Sequence, residues 1–265
     1  MYGSKVRRFT GLMVCLLLSV NYMASVNAQE RNLRFTCSDE PGSLIELYTS
    51  QGCSSCPPAE RWISKFKHDK RLWKSLFPLA FHVDYWDYIG WKDEFAKAQY
   101  GNRQRLYQRL GLIRQVATPG FIVSGKGWNG WFRCQRLPQA QRVEGLGGLQ
   151  IDIDGREVLI RYTTKIEAEQ DKSFKINIAL LGFDMLSNIN AGENRGRNLQ
   201  QDFVVLSLHH EFLLSKKDTA SRQELWSSRL RLPESVDRLG VEMALLGWTT
   251  KGGELNPLQV TGGWL

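Results

Sequence analysis

The feature that most restricts the fold is a cysteine pair inside the stretch ELYTSQGCSSCPPAE. Cys53 and Cys56 are separated by two serines and followed at once by Pro57 and Pro58. Proline lacks a backbone N–H and has a fixed φ, which suits the first turn of a helix. The apolar run Ser43–Thr49 that comes before the pair is typical of a buried strand. The sequence therefore predicts two cysteines at a strand-to-helix junction.

The amino terminus has the pattern of a secretory signal peptide. A positively charged segment precedes an apolar stretch, Phe9–Val20, that is too short to span a bilayer comfortably, and small residues suited to signal peptidase follow at 26–28. Cys15 lacks the small residues that should precede a lipid-modified cysteine, so we expect it to leave with the signal. We therefore expect removal of residues 1–28, export to the periplasm or the extracellular space, and no membrane span in the mature chain.

The charge of the chain excludes no fold but bears on partners. Removal of residues 1–28 takes away three of the 35 Lys and Arg and none of the 27 Asp and Glu, which leaves a net charge of +5. These cations are spread along the chain without a dense run. We therefore expect a solvated basic surface and no nucleic-acid partner.

The pattern of predicted elements changes near residue 144, which predicts two domains after the signal peptide. We expect an α/β domain over 29–144, where strand-like and helical runs alternate, and a mainly antiparallel, β-sandwich-like domain over 145–265. The elements predicted in the first segment are the strand Ser43–Thr49, the helix Pro57–Lys67, the strand Phe77–Trp86, the helix Lys92–Leu110 and the strand Phe121–Ser124.

The second segment consists of strand and turn patterns. Within it, the turn GENRGR at residues 192–197 is most simply a hairpin loop, because glycine and asparagine are common in turns. Its two arginines and one glutamate leave open carboxylate binding or a role in holding the domains in register. The predicted strands are Leu149–Asp154, Glu157–Thr163, Phe174–Phe183, Phe203–His210, Leu225–Leu232 and Val241–Trp248.

Two cysteines outside the motif predict a structural disulfide. Cys37 precedes the first core strand and Cys134 follows the strand after Pro119, and an oxidising compartment favours pairing. A bridge that closes so long a loop would contribute about 4–5 kcal/mol by chain entropy. The alternative is a free thiol, or a relay that exchanges with the Cys53–Cys56 pair.

Four motifs resemble a family of exported thioredoxin-like proteins catalogued as a domain of unknown function: CSSCPP, FHVDYWDYIGW, TPGFIV and GENRGR. The resemblance covers nearly the whole mature chain and implies a thioredoxin-like domain over 29–144. It also implies a redox site at Cys53 and Cys56. Pro119 is implied to be cis, with the backbone of Thr118 beside the cysteine pair, where it can bond an extended client.

The chemistry expected of the pair is thiol–disulfide exchange. A helix that begins near Cys56 would point unpaired N–H groups and its positive dipole end at the Cys53 sulfur, which favours the thiolate. We expect Cys53, the more exposed of the two, to be the nucleophile and Cys56 to resolve the mixed disulfide. The alternatives are an inert local disulfide and half of a zinc site, although zinc usually needs a second close Cys/His pair.

Glu46 is a further candidate for catalysis. Many thioredoxin-like proteins bury an acid on the first core strand beneath the second cysteine, where it accepts a proton, and Glu46 is the acid on this strand. Its spacing to Cys53 is one residue longer than is typical of that superfamily. Glu46 could therefore instead face solvent or hold a loop.

An aromatic-rich segment follows His82. Alternation through the predicted strand places Tyr85 and Trp86 on opposite faces near its end, which should overhang the cysteines. We predict a platform for a peptide or another hydrophobic substrate. The alternative is that these rings fill the seam between the domains. The platform residues are Tyr85, Trp86, Tyr88 and Trp91.

These observations predict an exported thiol–disulfide oxidoreductase that acts through Cys53 and Cys56 on protein or small thiol and disulfide clients, with no cofactor and no bound metal. Two alternatives stay open. One is a binding or adaptor protein that does not turn over, and the other is a protein that handles a soft metal such as Cu(I) through the two thiolates. The direction of electron flow is set by the redox partner, which the sequence does not identify.

Overall fold

The computed structural model describes residues 32–37, 42–140, 147–165, 173–218, 223–234 and 241–265. Within the chain, Arg31–Leu265 form one compact unit. The predicted signal peptide, residues 1–28, and the predicted domain boundary at residue 144 lie outside the described residues. No helix among the described residues is long and apolar enough to cross a membrane.

The described chain is built mainly from strands. Two α-helices, α1 (Pro57–Ser64) and α2 (Ala98–Arg109), and three 3₁₀ helices, Lys65–His68, Asp84–Ile89 and Gly130–Arg133, accompany them. The strands are β1 (Leu33–Thr36), β2 (Ser43–Thr49), β3 (Leu76–His82), β4 (Gly120–Val123), β5 (Lys126–Trp128), β6 (Gly148–Asp154), β7 (Glu157–Lys165), β8 (Phe174–Gly182), β9 (Met185–Asn188), β10 (Asn198–Gln201), β11 (Val204–Phe212), β12 (Leu214–Asp218), β13 (Gln223–Arg231), β14 (Met243–Lys251) and β15 (Gln259–Trp264).

Three sheets organise these strands. A mixed eight-stranded sheet has the order β15-β14-β8-β11-β3-β2-β4-β5, and a five-stranded sheet has the order β1-β6-β7-β13-β12. A short ribbon pairs β9 with β10. In the larger sheet β2 runs parallel to β3, and β3 runs parallel to β11, whereas the other neighbouring strands are antiparallel.

The eight-stranded sheet changes the predicted picture of a separate β-sandwich domain after residue 144. Four of its strands precede that residue and four follow it, and the two groups join where Val204 of β11 pairs with Ala80 of β3. The five-stranded sheet also includes β1, from the amino-terminal segment. The backbone groups at the edge of β3 need partners, and periodicity within a segment does not reveal which distant strand supplies them.

Two apolar cores lie against the larger sheet. One contains side chains from both halves of the chain, including Phe81, Tyr100, Phe203 and Trp248. The other lies between the five-stranded sheet and strands β8 and β14. Gly247 of β14 is needed there, because a Cβ atom would lie 2.4 Å from Ile151 Cδ1. A sandwich is therefore present, but half of the larger sheet forms one of its layers.

Strand β3 is shorter than the sequence predicts. It ends at His82, and Asp84–Ile89 form a 3₁₀ helix that Gly90 ends with a positive φ of 94°. Alternating side-chain direction therefore stops before the aromatic residues, so the predicted assignment of Tyr85 and Trp86 to opposite strand faces is wrong. The backbone N–H of the buried Asp93 donates to Asp87 Oδ1 at 3.2 Å and helps to hold this turn. The two-residue alternation of a strand gives no sign of such a contact.

The shared sheet predicts that the two halves of the chain unfold together. Phe203 is fully buried and packs on Phe183 with ring centroids 4.9 Å apart, so Phe203→Ala should cost about 3–5 kcal/mol of unfolding free energy. In urea, circular dichroism and tryptophan fluorescence should show one coincident transition that moves to lower urea. Phe212→Ala, a change at a side chain that is 59% exposed, is the control and should shift it little. Two separate transitions would contradict this prediction.

Candidate functional site

The two motif cysteines lie where the sequence predicts, between the end of β2 and the start of α1. Cys56 is the residue before the first helical position, and Pro57 and Pro58 occupy the first turn. A disulfide joins Cys53 to Cys56. The strand-to-helix junction therefore contains a closed cysteine pair.

Both motif cysteines are buried. Cys53 is 1% exposed and Cys56 is 0% exposed, whereas Ser54 and Ser55 between them are exposed. The expected difference in exposure between Cys53 and Cys56 is therefore negligible. A client sulfur can reach the disulfide only after the groups that cover it move.

The helix start donates fewer hydrogen bonds toward the sulfur than expected. Pro57 and Pro58 have no N–H, and the next two N–H groups, of Ala59 and Glu60, bond the Cys56 carbonyl. The prediction of several unpaired N–H groups aimed at Cys53 is therefore wrong. A hydroxyl is close instead, because Ser55 Oγ lies 3.3 Å from Cys53 Sγ.

The Thr118–Pro119 peptide bond is cis, as the resemblance implies. The Thr118 carbonyl oxygen lies 3.8 Å from Cys53 Sγ, directly before β4, which pairs with β2. The structure therefore brings Thr118 and the cysteine pair together. The Thr118 hydroxyl is buried and has no hydrogen-bond partner among the described residues.

The turn at residues 192–197, which we call the latch loop, binds the backbone of residues 50–56 between β2 and α1, which we call the cysteine loop. The Asn194 amide nitrogen donates to the carbonyl oxygens of Gln51 and Cys53, each at 2.9 Å. Glu193 accepts the Ser54 N–H at 2.9 Å, and hydrogen bonds from the Ser54 hydroxyl and from this N–H lower the pKa of the Glu193 carboxyl. The turn is a hairpin loop between β9 and β10, as the sequence predicts. Its asparagine and glutamate also bond residues about 140 positions earlier in the chain, which the turn pattern does not show.

Gln51 is the centre of a buried polar network beneath the cysteine loop. Its backbone N–H donates to Asp93 Oδ2 at 2.8 Å, and its side-chain amide donates to Ser187 and Gln201. Trp91 Nε1 donates to Gln51 Oε1 at 2.9 Å. Hydrogen bonds thus hold the loop both to the segment that follows the 3₁₀ helix Asp84–Ile89 and to the β9–β10 ribbon.

A buried ion pair completes this network. Asp93 Oδ2 lies 2.7 Å from His82 Nδ1, and both side chains are inaccessible to solvent. Burial lowers the pKa of His82, but the neighbouring Asp93 carboxylate outweighs burial and raises it. Burial acts in the opposite direction on Asp93, and His82 outweighs it, so the pKa of Asp93 is lowered. The pair therefore favours imidazolium and carboxylate.

Glu46, the predicted catalytic acid, faces away from the side of β2 that contacts α1. Arg103 of α2 donates to both carboxylate oxygens at 2.8 Å, and the hydroxyls of Tyr48 and Tyr107 donate at 2.7 and 2.6 Å. These four contacts occupy a fully buried carboxylate, and none involves a cysteine. The structure corrects the catalytic assignment, because the alternation of β2 directs Glu46 to α2.

A different acid, Glu60, lies on the cysteine side. It is buried on α1, four residues after Cys56, and accepts hydrogen bonds from the Thr49 hydroxyl at 2.6 Å and the Gln201 amide at 3.1 Å. Burial raises the pKa of Glu60, although His82 and these two bonds oppose the shift. Glu60 is not among the site residues predicted from the sequence, because the acid was expected on the strand. The signal was the four-residue spacing, which puts Cys56 and Glu60 on one helix face.

The four residues of the predicted aromatic platform make different contacts and do not form one shared surface over the cysteines. The Tyr85 hydroxyl donates to Gln104 of α2, and Trp86 stacks on Tyr88, which is 83% exposed. Trp91 contacts the cysteine loop through Gln51. Of the four predicted residues, Trp91 is the one with a described hydrogen bond to that loop.

A groove with a volume of about 1000 Å³ lies beside the disulfide. Ser55 and Pro119 line it next to the cysteines, and Trp128, Trp131 and Phe132 give it an aromatic wall. Sequence analysis did not predict these three rings, since they lie beyond the cis-proline strand and outside the dense aromatic segment. The groove is large enough for several side chains of a peptide.

The predicted disulfide between Cys37 and Cys134 is absent, and both cysteines are free thiols. Cys37 follows β1 in the five-stranded sheet, where its sulfur accepts the Leu149 N–H at 3.1 Å. Cys134 is exposed after the 3₁₀ helix that follows β5, the last strand of the eight-stranded sheet. Cys37 directly follows a strand of the five-stranded sheet, whereas Cys134 lies in a turn beyond the last strand of the eight-stranded sheet. Sequence position did not reveal this separation. Among the described residues, no group of three or more His, Cys, Asp or Glu side chains could hold a metal ion.

The chain belongs to the family described as "Protein of unknown function (DUF1223)", which it matches over residues 44–243. Its fold is similar to an X-ray crystal structure of a protein from Agrobacterium tumefaciens, with 21% identity, a TM-score of 0.56, and coverage of 86% of this chain and 96% of that one. It is also similar to HBP35 of Porphyromonas gingivalis, with 15% identity, a TM-score of 0.52, and coverage of 86% and 76%. The search of curated proteins gives no match.

The latch loop predicts how readily the disulfide is reduced. Asn194→Ala removes two hydrogen bonds to the cysteine loop, so the loop should open more often and dithiothreitol should reduce the disulfide about tenfold faster. The measurement is the rate at which alkylatable thiols appear under native conditions. Asn198→Ala, the same change at an exposed residue of β10, is the control and should react like the unmodified protein. Equal reduction rates for the two variants would contradict the prediction that Asn194 limits opening of the cysteine loop.

Glu60 predicts a pH dependence of stability. Its folded pKa is raised above 4.5, so its contribution to stability is present below that pH and is lost as the pH rises through the folded pKa. Glu60→Gln keeps an acceptor oxygen but cannot ionise. Urea unfolding should therefore show the variant gaining stability over the unmodified protein between about pH 4 and pH 8. Glu157→Gln, at an exposed carboxyl, should give no such trend, and parallel profiles for Glu60→Gln and the unmodified protein would refute the prediction.

Proposed function

We propose that this protein is an exported thiol–disulfide oxidoreductase that acts through Cys53 and Cys56 on protein or small thiol and disulfide clients. The observation that carries the proposal is the closed cysteine pair at the start of α1, with the Thr118 carbonyl oxygen 3.8 Å from Cys53 Sγ. A reversible disulfide needs two cysteines within bonding distance and a surface that orients the incoming sulfur. The amino-terminal pattern at residues 1–28 supports export.

The topology around the site supports a thioredoxin-like assignment. The chain order β2, α1, β3, α2, β4, β5 and the sheet order β3-β2-β4-β5 are similar to the thioredoxin superfamily. In that superfamily the cysteine pair follows the first core strand and the cis-proline precedes the third. Cys53 and Pro119 occupy the matching places here.

The proposed exchange proceeds in two sulfur-transfer steps. In the oxidising direction, a client thiolate attacks Cys53 Sγ, the Cys53–Cys56 bond breaks, and the electron pair leaves on Cys56. A second client thiolate then attacks the client sulfur of the mixed disulfide and releases Cys53. The client gains a disulfide and the protein gains two thiols, with the client's two protons balancing the two thiolates. The reducing direction is the reverse.

Two groups next to Cys53 favour this chemistry. The exposed Ser55 hydroxyl, 3.3 Å away, can donate to the developing thiolate. The Thr118 backbone can pair with an extended client and align its sulfur with Cys53, as strand addition does in other peptide sites. The aromatic groove beside Pro119 then supplies contact area for client side chains.

Burial of the disulfide requires an opening step before exchange. The latch loop supplies some of the contacts that hold the cysteine loop, since Asn194 and Glu193 bind its backbone, and the Gln51 network supplies the others. Movement of the latch loop would expose Cys53 without disturbing β2 or α1. Client binding in the groove would favour the open state if the client contacts it more strongly than the closed one.

A second function, partner binding without turnover, is favoured by the same burial. An inert disulfide would stiffen the junction between β2 and α1 while the groove holds a partner. In that case the partner would bind equally well after both motif cysteines are replaced. The two functions are therefore separable by one set of variants.

The discriminating experiment uses the mature chain, a peptide with an internal disulfide, and a matched dithiol peptide. Cys53→Ser should abolish exchange, whereas Cys56→Ser should accumulate a mixed disulfide through Cys53, because the resolving thiol is lost. Mass spectrometry of alkylation-quenched samples measures both species. Cys134→Ser, at an exposed free thiol, is the control and should keep full exchange.

No exchange by the unmodified protein, or full exchange after Cys53→Ser, would overturn the oxidoreductase proposal. Binding of the dithiol peptide to the double variant Cys53→Ser/Cys56→Ser, with no exchange by the unmodified protein, would support the second function.

A further inference from the structure

A second cavity lies away from the cysteine site, between α2 and the strands β14, β8 and β11. Its volume is about 320 Å³, which suits a small molecule. Residues of α2 form one wall, residues of the eight-stranded sheet form another, and 252–255 close one end. Nothing in the proposed redox function uses this cavity.

Strand register brings the polar lining residues together. Thr250 of β14 pairs with Lys175 of β8, and Asn177 of β8 pairs with His210 of β11. Side chains two residues apart on a strand share a face, so Lys175 and Asn177 point to the same side as Thr250 and His210. These residues are far apart in sequence, which is why periodicity gave no sign of the cavity.

The cavity carries more positive than negative groups. The described residues that line it include three cations, Arg103, Arg109 and Lys175, and one acid, Glu254, together with His210, whose lowered pKa leaves it uncharged at neutral pH. Arg103 is neutralised by Glu46. Within the described chain, neither Arg109 nor Lys175 has an ion-pair partner.

The pKa shifts agree with this excess of positive charge. Burial lowers the pKa of Lys175, and the Arg103 charge lowers it further. Burial, Lys175 and then His209 lower the pKa of His210. Burial is the larger cause of each shift, and the neighbouring cations act in the same direction.

A buried hydroxyl gives an independent sign of a missing partner. Thr250 lines the cavity and is 1% exposed, and its Oγ1 has no hydrogen-bond partner among the described residues. A buried hydroxyl without a partner lowers stability, and valine would fill the same volume without that cost. The Oγ1 atom is itself shielded from solvent, so a ligand in the cavity would accept its hydrogen bond after a rotation of the Thr250 side chain.

We propose that this cavity binds a small molecule that carries a carboxylate or phosphate group on an apolar body. The anionic group would lie near Lys175 and Arg109 and accept a hydrogen bond from Thr250. The apolar body would pack against Leu106, Leu208 and Leu255, which line the same cavity. One bound anion would supply both the missing negative charge and the missing acceptor.

The test is calorimetric titration of the mature protein with three aromatic probes. Benzoate and phenyl phosphate present the two anionic groups, and benzamide is the uncharged match for benzoate. We expect at least one anion to bind with a stoichiometry near one and benzamide to bind at least about tenfold more weakly. The stronger of the two anions identifies the preferred group.

Three variants locate the binding. Lys175→Gln should weaken anion binding about tenfold or more, and Lys216→Gln, at an exposed lysine of β12, should change it less than twofold. Thr250→Val should weaken binding while leaving the melting temperature unchanged or raised, a combination that a purely structural hydroxyl would not give. Absence of binding by both anions, equal binding of benzamide, or equal effects of Lys175→Gln and Lys216→Gln would overturn the proposal.

Discussion

The cysteine loop depends on hydrogen bonds from a side chain that lies far along the chain. Two of its carbonyl oxygens, those of Gln51 and Cys53, accept from the Asn194 amide, which is itself fully buried. A buried carbonyl without a donor costs free energy, so the loop keeps its shape only while residue 194 is in place. That in turn requires the β9–β10 ribbon and the joint between β3 and β11 to position the latch loop. The cysteine site is thus formed by both halves of the chain.

Two buried ion pairs occupy opposite sides of the central strands. Glu46 and Arg103 tie β2 to α2, whereas His82 and Asp93 tie the end of β3 to the cysteine loop through Gln51. A buried pair contributes little net stability compared with apolar packing, but loss of one partner is costly. Their main effect is to fix position. The first pair orients α2, which also forms a wall of the cationic cavity, and the second holds the segment beneath the disulfide.

The cysteine junction could be predicted from local sequence patterns, because the residues that determine it lie next to one another in the chain. CSSCPP specified a loop followed by a helix, and Thr118-Pro119 directly precedes β4. Other predictions failed where the local structure depends on a contact between residues that are distant in sequence. The alternation of apolar and polar residues did not show that β3 ends at His82. The position of Glu46 on β2 did not show whether its side chain faces α1 or α2. Cys37 and Cys134 were predicted to pair because sequence order does not show that one follows β1 and the other lies in a turn beyond β5.

The sequence by itself determined the position of the cysteine pair, the nature of most strands, and membership of a family through long motifs. These follow from propensity, side-chain period and proline geometry, which act over a few residues. Only the tertiary structure decided that one sheet spans both halves, that Asn194 and Glu193 hold the cysteine loop, and that Lys175, Thr250 and Arg109 line one cavity. Each of these depends on which distant backbone edges and buried polar groups meet, and a linear pattern does not encode that choice in any short segment.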